Sequence, residues 1–210
     1  MKLTNKDLKR RIIEISWKHK LSHLGSCLTA VDIIDGIYGI KSADERFVLS
    51  SGHAGLALYV VIEKYLGIDA EKIFEHHGVH PDRCNQCHID CSTGSLGQGL
   101  PIAVGMALAN RKKNVYCLIS DGECSEGSIW EALRIWKREN LINLKIHLNW
   151  NNWAAYRSTE NDDELLILKD WYPITIHEPE INIFPFMKDQ ANHYHVMNEE
   201  EYKQAMEILK

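Results

Sequence analysis

NVYCLISDGE, running from Asn114 to Glu123, is the stretch that decides the fold. Its first seven residues form a nearly continuous apolar run of strand length, as expected of a parallel strand covered on both faces. The run stops at Asp121-Gly122-Glu123, a helical pattern follows over about 127–139, and a second apolar run, LKIHLNW, fills 144–150. Strand, helix, strand is a βαβ unit, for which a right-handed crossover is expected. Working outward, RFVLS (46–50) reads as another strand and 172–177 as a further one. Helices are expected over 4–20, 28–39, 54–66, 69–76, 96–110, 162–169 and 199–209. Thr4 is placed to cap the first and Thr29 near the start of the second. The helix over 96–110, rich in Ala, Gly and Leu, is expected to be buried on most sides. These elements imply a three-layer α/β/α fold with a mostly parallel sheet. Residues 1–210 read as one domain, with an irregular C-terminal segment from about 179.

Composition narrows the function. A net charge of −5 argues against a nucleic-acid binder, which carries a basic surface. No apolar run approaches the roughly 20 residues that cross a bilayer. The N-terminal MKLTNKDLKRRIIEISWKHK has no uninterrupted apolar stretch and does not read as a secretory signal. Six cysteines, unevenly spaced, do not make a disulfide scaffold in 210 residues, so a reducing cytoplasm is the expected compartment.

In open parallel sheets ligands bind beyond the carboxyl ends of the strands. Three polar clusters fall at such ends: Ser51–His53, Asp121–Glu123 and Asn149–Trp153. Adjacent parallel strands would bring Asp121 close to Asn151, which stands 30 positions (151 − 121) further on. A carboxylate with a carboxamide oxygen suits a hard divalent ion such as Mg²⁺, which keeps phosphate oxygens and water as its other ligands. Gly122 lets the backbone approach a phosphate, and the helix that starts after Glu126 adds a positive dipole end. A magnesium-diphosphate site is the expectation. The alternative is that Asp121-Gly122 and Asn151-Asn152 simply form two turns.

SDGE (120–123) followed by NN (151–152) resembles the thiamine-diphosphate signature, which begins GDG and ends NN. Five blocks resemble the N-terminal half of transketolases, in family order: SHLGSCLTAVDII (22–34), RFVLSSGHAGLALY (46–59), HPDR (80–83), STGSLGQGLPIAVGMALA (92–109) and SDGECSEGSIWEAL (120–133). A weaker likeness continues over 186–209. The resemblance implies that Asp121, Asn151 and the backbone carbonyl of Trp153 hold the metal, Mg²⁺ or Ca²⁺ or Mn²⁺ in its place. It implies that Gly122, with Glu123 beside it, and His53 lie at the diphosphate, and that Gly94 and Leu96 pack on the aminopyrimidine. His23, His53, His80 and His193 are the implied proton-handling residues, with His195 a rival for His193. Neutral imidazoles suit that work because they exchange protons near pH 7. Glu126 and Glu131 match carboxylates that meet across a subunit interface.

The implied reaction moves a two-carbon ketol unit from a ketose to an aldose, free or phosphorylated. Nothing in 210 residues matches the family's pyrimidine-binding domain. A heterotetramer with a separately encoded pyrimidine-binding partner is therefore expected, with the single chain silent. The alternatives are a related thiamine-diphosphate synthase, part of a 2-oxo-acid decarboxylase, and a degenerate subunit that serves only assembly. Three departures from the family stand out. Ser120 replaces a glycine, tryptophans 150 and 153 flank the Asn pair, and only 33 residues separate Asn152 from Phe186. The last implies a sheet trimmed at one edge by about one strand–helix unit. Separately, Cys84, Cys87, His88 and Cys91 lie close enough in sequence to form a structural zinc site, with Cys84-x-x-Cys87 at ligand spacing.

Overall fold

The structure is a computed structural model that describes residues 5–181, 183–188 and 193–210. In chain order its elements are α1 (Lys6–His19), α2 (Leu24–Ile40), β1 (Arg46–Leu49), α3 (Gly55–Leu66), α4 (Ala70–His77), α5 (Gly99–Ala109), β2 (Val115–Ser120), α6 (Gly127–Arg138), β3 (Leu144–Asn149), α7 (Asp163–Trp171), β4 (Thr175–His177) and α8 (Glu199–Ile208). Among the described residues the sheet has four strands in the order β1-β2-β3-β4, every pair parallel.

Alternation along the strands creates the layers. Phe47, Leu49, Tyr116 and Leu118 face one apolar core with α1, α2, α3 and α8. Val48, Val115, Cys117, Ile119, Ile146 and Leu148 face the other, with α5, α6 and α7. Every residue of β2 is buried, which is why its sequence is apolar without a break. The closing helix is tied to the opening one. Asn198 and Glu201 form a reciprocal capping box, Trp17 stacks on Tyr202 at 5.3 Å, and Arg10 donates to the Leu209 carbonyl at 2.7 Å.

Two expectations are corrected. Thr29 is not at the start of its helix: α2 begins at Leu24, five residues earlier, after His23 in the left-handed region at φ 60°. With no side-chain cap there, the start has no local signature, and the Thr29 hydroxyl instead donates to the Gly25 carbonyl inside the helix at 3.1 Å. The other concerns α5, which buries only one side: Ala103, Val104 and Ala107 are covered, while Pro101, Ile102, Gly105 and Leu108 are exposed. Thr4, the expected cap of α1, lies outside the described residues. No described helix is long and apolar enough to cross a membrane.

Candidate functional site

A cavity of about 190 Å³ opens beyond the carboxyl ends of the strands. His23, His53, His80, His193, Gly94 and Leu96 line it, together with Gly122, Asn151 and Trp153. The register explains why distant residues meet: Ser120 pairs with Asn149 across β2 and β3, so Asp121 and Asn151 follow neighbouring strands at the same end of the sheet.

Asp121 is buried, and its carboxylate is held by short contacts. Oδ1 accepts from the Gly122 N–H at 3.0 Å and Oδ2 from the Thr159 hydroxyl at 2.7 Å. The backbone N–H groups of Asn152 and Trp153 also favour its ionised form, yet burial outweighs all of these and pushes its pKa up to about 6. Asn151 Oδ1 accepts from the Trp153 N–H at 3.1 Å, and its amide donates to the Thr29 hydroxyl at 3.3 Å. A methyl group on Gly122 would lie 3.2 Å from Ala154 Cα and 3.8 Å from the Trp153 carbonyl oxygen. The Trp153 N–H therefore serves both Asp121 and Asn151, and the Trp153 carbonyl lies beside Gly122. A desolvated carboxylate, a carboxamide oxygen and a backbone carbonyl are three hard donors of the kind that would suit a magnesium ion.

The histidines arrive from separate segments of the chain. His53 sits in the short helical turn Gly52–Ala54 after β1, which approaches the 93–94 backbone so closely that a methyl on Gly52 would lie 2.6 Å from the Thr93 carbonyl carbon. His23 precedes α2, and its N–H donates to the His193 carbonyl at 3.0 Å. Ring centres are 5.4 Å apart for His23 and His53, 4.5 Å for His23 and His193, and 5.6 Å for His53 and His193. His80 lies over Gly94, where a methyl would come within 3.0 Å of its ring. Burial, reinforced by the neighbouring imidazoles, lowers His53 to about 3 and His23 to about 4, so these rings are neutral at pH 7. His23 Nδ1 and Asn149 Oδ1 are buried without a hydrogen-bond partner, and both residues line the cavity. Such orphans are what a polar ligand would satisfy.

His193, rather than His195, lines the cavity. His195 turns to Glu201, with its Nε2 at 2.8 Å from the carboxylate. Glu123 departs from the expected cofactor contact. It is fully buried beneath the cavity, with Oε1 accepting from the Ser50 hydroxyl at 2.7 Å and the Gly97 N–H at 2.9 Å, and Oε2 from the Ser120 N–H at 3.0 Å. With both oxygens occupied by the chain itself, it ties three loops together. Glu126 and Glu131 are exposed at the start of α6 and on its outer side. The two tryptophans separate: Trp150 is buried in the core beside α7, and Trp153 lines the cavity. Thr29 and Thr159 were not anticipated as site residues. Thr29 does lie within the 22–34 block, where a polar residue in an apolar helix face was the available signal.

The expected zinc set is not assembled. Cys91 belongs to the core on one side of the sheet and Cys84 to the core on the other, and His88, at φ 55°, is exposed. Two of these cysteines, Cys84 and Cys87, come together with His77 instead.

Parallel α/β layers with a polar cavity at the strand ends define an α/β domain that takes its ligand there. Residues 41–155, more than half of the chain, match the family described as transketolase, thiamine diphosphate binding domain, and the chain belongs to that family. It is 29% identical over 191 residues to an apulose-4-phosphate transketolase subunit of Phocaeicola vulgatus, covering 81% of this chain and 67% of that one. It is 31% identical over 183 residues to a 6-deoxy-6-sulfo-D-fructose transketolase subunit of a Clostridium species, covering 78% and 66%. The transketolase of Leishmania mexicana superposes with a TM-score of 0.73 at 19% identity, over 97% of this chain and 40% of that one, which establishes the fold. The animal transketolases that the chain also matches are covered over only 23% of their length.

Proposed function

We propose that this chain is the diphosphate-binding subunit of a transketolase, acting as one domain with a separately encoded pyrimidine-binding subunit. Asp121 and Asn151 at neighbouring strand ends, with the Trp153 carbonyl beside Gly122 and four histidines lining the cavity, are the observation that supports this reading. Those three residues would hold Mg²⁺, and Gly122 would present its backbone to the diphosphate. Bound thiamine diphosphate supplies the nucleophilic carbon for making and breaking the carbon–carbon bond. The chain's own residues do the rest. Gly94 and Leu96 form one wall of the cavity and position the cofactor ring. His23, His53, His80 and His193 accept and return hydroxyl protons of a sugar or sugar phosphate.

The exposed apolar positions of α5, Ile102 and Leu108, support a contact between subunits, as do Glu126 and Glu131 at the surface of α6. Two relatives whose names describe them as subunits of transketolases support a divided enzyme. We infer a heterotetramer of two diphosphate-binding and two pyrimidine-binding subunits. Purified chain assayed for ketol transfer from a ketose phosphate is expected to be silent alone and active when mixed with its pyrimidine-binding partner. Turnover by the single chain contradicts the divided enzyme. Silence of the reconstituted pair, with cofactor bound, supports the degenerate assembly subunit instead.

A further inference from the structure

The loop between α4 and α5 contains a second constellation, which the cavity does not use. His77 is the last residue of α4, and its Nε2 lies 3.3 Å from Cys87 Sγ. The Cys84 sulfur completes the group, with all three ligand atoms within 4.8 Å of one another. Two thiolates and an imidazole on a tetrahedral zinc ion, with bonds of about 2.3 and 2.0–2.1 Å, stand about 3.6 Å apart for sulfur and nitrogen and about 3.8 Å for sulfur and sulfur. The His77–Cys87 spacing of 3.3 Å is already close to that, and the Cys84 sulfur lies within 4.8 Å of both atoms.

Backbone geometry points the same way independently. The Cys87 N–H donates to Cys84 Sγ at 3.0 Å, so the turn directs a backbone amide at the sulfur. Cys84 and Ile89 exchange both backbone hydrogen bonds at 2.9 Å, closing 84–89 into a small hairpin. His88 takes the left-handed conformation at φ 55° that lets the chain turn back directly after the second cysteine. Asn85, Gln86 and His88 are exposed, while the two sulfurs face inward toward the end of α4.

We propose that His77, Cys84 and Cys87 form a zinc site that clamps the 84–89 hairpin to the end of α4. The ligand set suits a borderline-soft ion: two thiolates and one imidazole select zinc over magnesium or calcium. Binding displaces one proton from each thiol to solvent and needs no oxidant. Water takes the fourth position. The clamp braces the segment that carries His80 across Gly94, and so fixes one wall of the cavity from behind.

The test uses the reduced 210-residue chain. Zinc content is measured by plasma mass spectrometry, and the chelated protein is then titrated with Co²⁺, whose thiolate charge-transfer band reports sulfur ligation. The wild type is expected to carry zinc at close to one per chain and to develop the band to saturation at one equivalent. Cys84→Ser, Cys87→Ser and His77→Ala are expected to lose zinc and weaken or abolish the band, whereas Cys91→Ser and His88→Asn keep both. Circular dichroism confirms that each variant is folded, and the wild-type titration needs no variant. The proposal is overturned by a wild type that shows no charge-transfer band, by a band that survives Cys84→Ser or Cys87→Ser, or by its loss in Cys91→Ser. A Cys84–Cys87 disulfide found in the purified chain by mass after alkylation also overturns it.

Discussion

The strand-end loops over 50–53, 92–99 and 120–123 contrast with the segment from Asn152 to Met197. In the first region backbone touches backbone. Gly52 approaches Thr93, Gly99 approaches Ser50, and Glu123 accepts from Ser50, Gly97 and Ser120 at once. In the second, described residues reach the site through single side chains: Thr159 reaches back to Asp121, and His193 enters the histidine cluster. One region is over-determined by packing, whereas the other delivers single side chains to a site built elsewhere. Substitutions in the first should cost stability, and in the second they should cost ligand affinity while the fold survives.

The largest effect is expected where the two regions meet. Asp121→Asn keeps the shape and an acceptor for Thr159 but removes the charge, so magnesium-dependent binding of thiamine diphosphate should vanish in calorimetry. The thermal midpoint without ligand should fall modestly, because the new NH₂ group faces the Gly122 N–H or the Thr159 hydroxyl, while removal of a carboxylate disfavoured by burial offsets part of that loss. Next, Gly52→Ala places a methyl 2.6 Å from the Thr93 carbonyl carbon and oxygen, backbone atoms that cannot step aside. Urea unfolding should show a loss of about 3 kcal/mol. Glu123→Gln tests the tie beneath the cavity. Each carboxylate oxygen accepts from a backbone N–H, so the new NH₂ group faces a donor in either orientation. The expected loss is about 2–3 kcal/mol by the same measurement.

Smaller effects should come from the second region. Thr159→Val removes the donor to Asp121, with a stability loss of about 1 kcal/mol. Because it also loosens a metal ligand, magnesium affinity should fall roughly tenfold. A stability loss that matched Gly52→Ala, with affinity unchanged, would erase the contrast between the regions. The mildest prediction concerns pH. His53 and His23 are lowered to about 3 and about 4 when folded, against 6.5 for the free side chain. The unfolded chain therefore takes up protons below about pH 6.5 that the folded chain refuses until about pH 4, so stability is full above that window and declines as pH falls through it. Urea midpoints measured across that range should decline, and His53→Asn should flatten the slope.

Much of the fold was legible because hydrophobic period is a local property. The unbroken apolar run of β2 and the boundaries of α3, α4 and α6 followed from it within one or two residues. Where structure depends on tertiary contact, the pattern was silent. Nothing adjacent to His23 announces that α2 starts at Leu24, and the apolar exposed side of α5 reads as a buried one until its neighbours are placed. The same division holds in the site. Asp121 and Asn151 were readable as strand-end oxygens. Thr159 was not, since a threonine 38 residues from Asp121 carries no mark of its partner. Cysteine spacing likewise found Cys84 and Cys87 but paired them with His88 and Cys91, because only the end of α4 brings His77 alongside.

The most direct test is a calorimetric titration of thiamine diphosphate into the purified chain, with and without Mg²⁺, alone and with the pyrimidine-binding partner. Binding that requires magnesium, tightens with the partner and is lost in Asp121→Asn is the predicted result. Binding indifferent to magnesium and to Asp121, or no binding in any of these conditions, would contradict the proposed diphosphate site.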